Sequence, residues 1–415
     1  HFALLKELVQ KFPDEKWAFH YLGDFYLQNR YDAPGAREQF EKWLALDPRD
    51  ANAISHLISA CAVTGDFKKA AELIKMHDAV APPDPYFLLV QAMTYAFMGQ
   101  FDQAIAKSKE SLGIRPDFNL ALMNLTMLHV MRGEYEESLR WADEYVSRAA
   151  TSGLKSDAYG LRGLLRYWRG SYAGALSDFD LADKIAEEAG NWVIKANALE
   201  GKGVVYLAKG EFDFSRAAFE KELEILVERV RTWIPFHRAY LAWRLGLLAV
   251  EQGQTAAARA RLSDMRAILP VIEGQGKSFV AELADLLVQG DLDGALAASK
   301  KACLPLSPIW IFGSGWHFLG HKSPYVDLTA RVLAKKGNLA KAISEYERLL
   351  KTFDLTESTH FVHPLYHYRL GLLYERAGDA MKAKGRYQKF LDLWKDADPG
   401  RPEVDNARSR LASLR

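Results

Sequence analysis

Cysteine is scarce. Cys61 and Cys303 are the only two in 415 residues, and they form neither a CxxC nor a metal-type pair. Their wide separation argues against a disulfide and leaves two buried or idle thiols. Low cysteine use fits a cytoplasmic protein, with a periplasmic location as the alternative. A surplus of either charge is also missing: 54 Lys and Arg stand against 53 Asp and Glu. Nucleic-acid-binding proteins usually carry a strong basic excess, so that class is not expected, nor is a polybasic membrane-surface role. No uninterrupted run of about 18 apolar residues occurs, so no membrane span is expected. No secretory signal is visible, and the chain starts at His1 rather than methionine.

Catalytic signatures are absent too. Gly201-Lys202-Gly203 is only superficially a phosphate loop, because it falls mid-helix and Gly203 is a small packing residue. Gly313-Ser314-Gly315 lacks the GxSxG spacing of a nucleophile elbow. Two histidine pairs stand four apart, His317 with His321 and His363 with His367, and His360 lies near the second. On a helix such a pair can share one metal. Here no glutamate follows the first histidine as in HExxH. Gly320 and nearby prolines interrupt one pair, and Pro364 the other. No metal, no cofactor and no enzymatic activity are expected.

What is present is a repeat. Pro48, Pro82 and Pro116 fall 34 residues apart, as do Gly65, Gly99 and Gly133. Each glycine is followed by a polar residue and an aromatic: Gly65-Asp66-Phe67, Gly99-Gln100-Phe101, Gly133-Glu134-Tyr135. Three residues beyond each aromatic comes a small one: Ala70, Ala104, Ser138. With 49% apolar and 12% aromatic residues the chain is far from a disordered composition. At this length one spherical core is not expected, whereas a stacked array buries each unit against its neighbours.

A 34-residue period with this pattern resembles the tetratricopeptide repeat, a helix-turn-helix unit that stacks into a superhelix. The resemblance implies an all-α, right-handed superhelical solenoid of about nine to ten helical hairpins with a C-terminal capping helix. Residues 1–13 read as the second helix of an incomplete repeat, whose Leu4, Leu5 and Leu8 lack a partner helix; a segment upstream, lost by truncation or processing, is expected. Four repeats of about 34 residues follow over 14–150. The first has an altered turn at Asn29-Arg30-Tyr31-Asp32-Ala33-Pro34-Gly35-Ala36. Longer, degenerate repeats fill 151–301, with turn glycines at Gly170, Gly210, Gly253 and Gly290. An apolar insertion at 302–324 carries Trp310, Phe312, Trp316 and Phe318, which are expected to pack on the repeats or await a partner. Two further repeats occupy 325–400, and 401–415 read as a polar capping helix. The last repeat and this ending resemble repeat arrays attached to bacterial signalling proteins.

In this family the groove is lined mainly by the first helix of each hairpin, helix A. By that register the third repeat contributes Tyr86, Leu89, Met93 and Phe97, and the fourth Met123, Met127 and Met131. The fifth adds Tyr167 and Trp168, and the seventh Tyr240 and Trp243. This methionine-rich surface either adapts to the apolar side of a partner or is core, buried by tight curvature or by the insertion. The lysine, asparagine and arginine clamp that some members use on a terminal carboxylate is absent: the second repeat offers Asn52 and Ser55, then apolar residues. Arg229, Arg231, Arg238 and Arg244 form a basic stretch that either docks an acidic partner or is a solvated, ion-paired face. The function expected is a non-catalytic scaffold that binds an extended peptide or helix of a protein partner. The alternative is a sensory or regulatory repeat domain that binds a small molecule or peptide and controls an upstream kinase or transcription regulator.

Overall fold

The computed structural model describes residues 2–29, 32–229, 260, 323–351 and 363–414. These residues are helical throughout, with no strand among them. They fall into two compact units, the first within 1–132 and the second from 133 onward. Tyr240, Trp243, Arg231, Arg238, Arg244 and the four aromatics of the insertion lie outside the described residues.

The first unit holds α1 (Phe2–Lys11), α2 (Lys16–Asn29), α3 (Ala33–Leu46), α4 (Ala51–Val63), α5 (Phe67–Val80), α6 (Pro85–Phe97), α7 (Phe101–Ile114) and α8 (Asn119–Met131). Its hairpins α2–α3, α4–α5 and α6–α7 pack in chain order. Aspartates start the helices: Asp32, Asp50, Asp66 and Asp84 each accept a backbone N–H from the first turn of the next helix. The prolines do the stopping: α3, α5 and α7 end at Leu46, Val80 and Ile114, two residues before Pro48, Pro82 and Pro116. Between the two helices of a hairpin the chain reverses through a left-handed glycine. At Gly99 φ is +73°, and Gln100 N–H returns to the Tyr95 carbonyl at 2.8 Å, closing the last turn of α6. The small residues Ala70 and Ala104 are fully buried. At the N-terminus Leu5 is buried, Leu8 is half-buried and Leu4 is exposed. The expectation that all three leucines lack a cover is corrected for Leu5, because α1 packs on α2.

The second unit holds α9 (Tyr135–Arg148), α10 (Ser152–Trp168), α11 (Tyr172–Glu188), α12 (Trp192–Lys209), α13 (Phe212–Arg229), α14 (Ser323–Lys335), α15 (Leu339–Lys351), α16 (Leu365–Arg376), α17 (Ala380–Leu393) and α18 (Pro402–Ser413). The hairpins α10–α11, α12–α13, α14–α15 and α16–α17 again pack pairwise. As at Gly23 against Phe40 in the first unit, a glycine of the first helix is set against an aromatic of the second, while the small residues of the second helix, Ala175, Ser215 and Ala383, stay fully buried. A Cβ at Gly203 would come within 2.5 Å of Phe219, and one at Gly371 within 2.6 Å of Tyr387. Helix α14 starts at Ser323, inside the range assigned to the insertion.

The C-terminal segment does more than cap. Trp394 Nε1 donates to the Trp168 carbonyl at 2.7 Å, a contact 226 residues apart in sequence. Asp398 N–H donates to the Gly170 carbonyl at 3.1 Å, while the Asp398 carboxylate caps α11 by accepting Ala173 N–H at 2.8 Å. The Arg401 guanidinium lies 4.2 Å above the Tyr172 ring. Packing in the second unit is therefore not purely sequential: its last hairpin is tied to the α10–α11 turn. In α18 itself, Val404 and Ala407 are buried and the rest is polar.

Candidate functional site

The helix A face of the first unit is set by α6 and α8. Asp84 fixes the first turn of α6 by accepting Tyr86 N–H at 2.7 Å and Phe87 N–H at 2.9 Å, and Tyr86 itself remains 55% exposed. Further along α6, Leu89, Met93 and Phe97 are buried. On α8, Met123, Met127 and Met131 recur at four-residue steps and so share one side of the helix. Met123 is buried, whereas Met127 and Met131 are half-buried. Polar anchors hold these helices to the second helices of the stack. Gln91 Nε2 donates to Asp78 Oδ1 on α5 at 3.3 Å. Asn124 Nδ2 donates to Ser108 Oγ on α7 at 3.3 Å. Along α6 and α8, then, Leu89, Met93, Phe97 and Met123 are buried, while Tyr86, Met127 and Met131 keep exposed or half-exposed side chains.

Tyr167 and Trp168 stand in a different setting, in the second unit at the end of α10. Trp168 is buried, and its carbonyl accepts the Trp394 indole. Tyr167 stacks on Tyr172 at 5.6 Å and meets the His363 ring edge-on at 5.3 Å. The C-terminal hairpin and the residue leading into it therefore contact both positions, through the Trp168 carbonyl and the Tyr167 ring, which sequence register alone could not anticipate. The same hairpin borders a cleft of about 580 Å³ lined by Glu134, Glu136, Arg169, Asp392, Lys395 and Arg408 among others. Desolvation would raise the Glu136 carboxyl, but Lys395 and Arg169 hold it below its ordinary value. Arg169 also pairs with Asp396. Within the α10–α11 hairpin, Asp178 is fully buried and pairs with Arg162 at 2.7 Å and Arg166 at 2.8 Å, locking α10 to α11.

The remaining sequence candidates separate cleanly. Arg229 is exposed beside Glu228 at 3.4 Å. Lys202, in the middle of α12, pairs with Asp180 and Asp183 at 2.7 Å each, as expected of a packing helix rather than a phosphate loop. Burial pushes the Cys61 thiol up to about 11, which leaves it protonated and unreactive. His363 Nδ1 accepts Leu365 N–H at 3.1 Å, and burial with the Arg369 charge holds its imidazole near 3. His367 faces Arg386 at 3.4 Å. Among the described residues, no helix is long and apolar enough to cross a membrane.

Two stretches, 89–153 and 328–402, match the family model described as Tetratricopeptide repeat. No curated protein sequence matches the chain. Among solved structures, a tetratricopeptide repeat protein from Parabacteroides merdae is 17% identical, with 70% of this chain and 98% of that chain covered and a TM-score of 0.43. PilW, a widely conserved type IV pilus biogenesis factor, is 18% identical over 53% of this chain and 94% of its own, with a TM-score of 0.41. Yeast Tom70 is 12% identical over 96% of both chains, with a TM-score of 0.36. Repeats of this family generally mediate protein–protein contacts and are generally non-catalytic. With its glycine-turned, proline-stopped hairpins, the chain carries repeats of the tetratricopeptide type, matched by the family model over 89–153 and 328–402.

Proposed function

We propose that this protein is a non-catalytic scaffold whose α6–α8 face takes up the apolar side of a partner's extended segment or amphipathic helix. One observation supports the reading: along α6 and α8, Tyr86, Met127 and Met131 keep exposed or half-exposed side chains while Leu89, Met93 and Met123 are buried. Methionine is unbranched and polarizable, so such a face accommodates apolar side chains of differing shape. Burying one large apolar side chain contributes about 1.5–3 kcal/mol. Several such contacts are needed to exceed the roughly 4–15 kcal/mol cost of association.

The test is a peptide selected from a displayed library on the full chain, with its affinity then measured against Met127→Glu and Tyr86→Ala. Met127→Glu is expected to weaken binding by at least about a hundredfold, since it sets a carboxylate against an apolar contact, with an unchanged circular dichroism melt. Undiminished binding removes this face as the site. A collapsed melt makes Met127 core and overturns the reading.

A further inference from the structure

Three polar side chains converge between the first two hairpins. His20 and Asp24 lie one turn apart on α2, and His56 comes from α4. His20 Nε2 stands 3.3 Å from Asp24 Oδ2, and His56 Nε2 stands 3.5 Å from Asp24 Oδ1. One donor atom from each residue lies within 4.8 Å of the other two. These separations are longer than the ~2.7–2.9 Å of a charge-assisted hydrogen bond. The two contacts reach different Asp24 oxygens, and with one donor atom per residue the set lies within 4.8 Å, so small side-chain shifts would bring it around one ion, whose ~2.0–2.2 Å tetrahedral bonds set neighbouring donors about 3.3–3.6 Å apart.

The surroundings orient the donors in the same sense. His56 Nδ1 lies 2.9 Å from the Asn52 carbonyl. A carbonyl only accepts, so Nδ1 carries the proton and Nε2 keeps its lone pair toward Asp24. Metal-ligating histidines are commonly held in this way by their second nitrogen. Asp24 Oδ1 is buried and accepts no hydrogen bond, which leaves a donor atom for an ion. Aromatic rings fix both imidazoles: Trp43 lies 4.7 Å from His20 and Phe40 5.2 Å from His56, centroid to centroid. All three residues are half-buried, so the cluster remains open to solvent on one side.

We infer that His20, Asp24 and His56 form a binding site for a divalent transition ion of the zinc class, with two imidazole nitrogens, one carboxylate oxygen and a fourth position open to water. Two nitrogens and one oxygen, without thiolates, suit zinc better than calcium or magnesium, which prefer all-oxygen shells. The ion would tie α2 to α4 and stiffen the junction of the first two hairpins. This inference does not rest on the peptide-binding proposal, although the Asp24 charge reaches Tyr86 of that face.

The experiment uses the full chain, stripped with chelator and titrated with zinc sulfate by calorimetry, and with cobalt(II) chloride by visible spectroscopy. One high-affinity ion per chain is expected, with the intense d–d absorption of four-coordinate cobalt and a melting temperature raised by zinc. His56→Ala and Asp24→Asn are each expected to weaken binding by about a hundredfold or more and to abolish the cobalt spectrum. If His56→Ala unfolds, Asp24→Asn, which keeps the shape of the side chain, decides the matter alone. Absence of zinc binding overturns the site. So does binding of undiminished affinity in a folded variant, which would locate the ion on other histidines.

Discussion

His363 and His367 sit at the start of α16 as neutral imidazoles. Burial is the first cause for both; the Arg369 charge adds to it at His363, and the Arg386 and Lys389 charges at His367. Their folded values, about 3 and about 4, lie below the ~6.5 of a free imidazole. The unfolded chain therefore binds these protons more tightly. The stability they allow is present in full above ~6.5 and declines as the pH falls toward 4. Each histidine is expected to remove on the order of 1–2 kcal/mol between pH 6.5 and 5. Urea unfolding across that window reads the slope, and His367→Gln should flatten it. An unchanged slope would show that His367 binds its proton equally well in the folded and unfolded chain. Asp178 offers a second residue-scale measurement. Truncation to Ala leaves Arg162 and Arg166 without their shared, buried partner and should cost roughly 3–5 kcal/mol in denaturant titration. A loss under about 1 kcal/mol would mean that solvent reaches both guanidinium groups.

At the scale of the element, the joint between the 394–401 segment and the α10–α11 turn can be undone from either side. Trp394→Ala removes a fully buried indole and its hydrogen bond to Trp168, at an expected cost of about 3–5 kcal/mol. Gly170→Ala attacks the same joint from the other face. Gly170 has φ +76°, and a Cβ there would meet Trp394 at 2.8 Å. If both variants melt like the parent, the joint adds nothing to stability. The hairpins themselves were legible in the sequence because their determinants are local: an aspartate cap, a turn glycine, a following aromatic and a stopping proline. The joint was not, because Asp-Ala-Asp-Pro-Gly-Arg reads as an ordinary loop after a helix, and nothing local marks Trp394 for a carbonyl far upstream. The same limit hid the cluster on α2 and α4. A search for paired histidines passes over His20 because its one-turn partner is a carboxylate, and His56 comes from the next hairpin. Helical register put Leu89, Met93 and Met123 among groove residues, but it could not tell which turns of helix A the neighbours would bury.

In a stack where each hairpin touches only its neighbours, stability is close to a sum of local terms and the ends fray first. The described part of the first unit follows that rule. The second does not, since opening α17 and α18 also strips Trp394 from the Trp168 carbonyl, the Asp398 cap from α11 and Arg401 from Tyr172. The last hairpin and the α10–α11 hairpin should then open together. Native-state hydrogen exchange followed by mass spectrometry tests this directly. Amides in the middle of α17 are expected to exchange with the same opening free energy as those of α10 and α11, and with the same denaturant dependence. Trp394→Ala should split the two, so that α17 exchanges early while α10 and α11 keep most of their protection. If α17 already exchanges by a separate, lower-energy opening in the parent chain, the joint is a contact without coupling. The second unit would then behave as the simple linear array its repeats suggest.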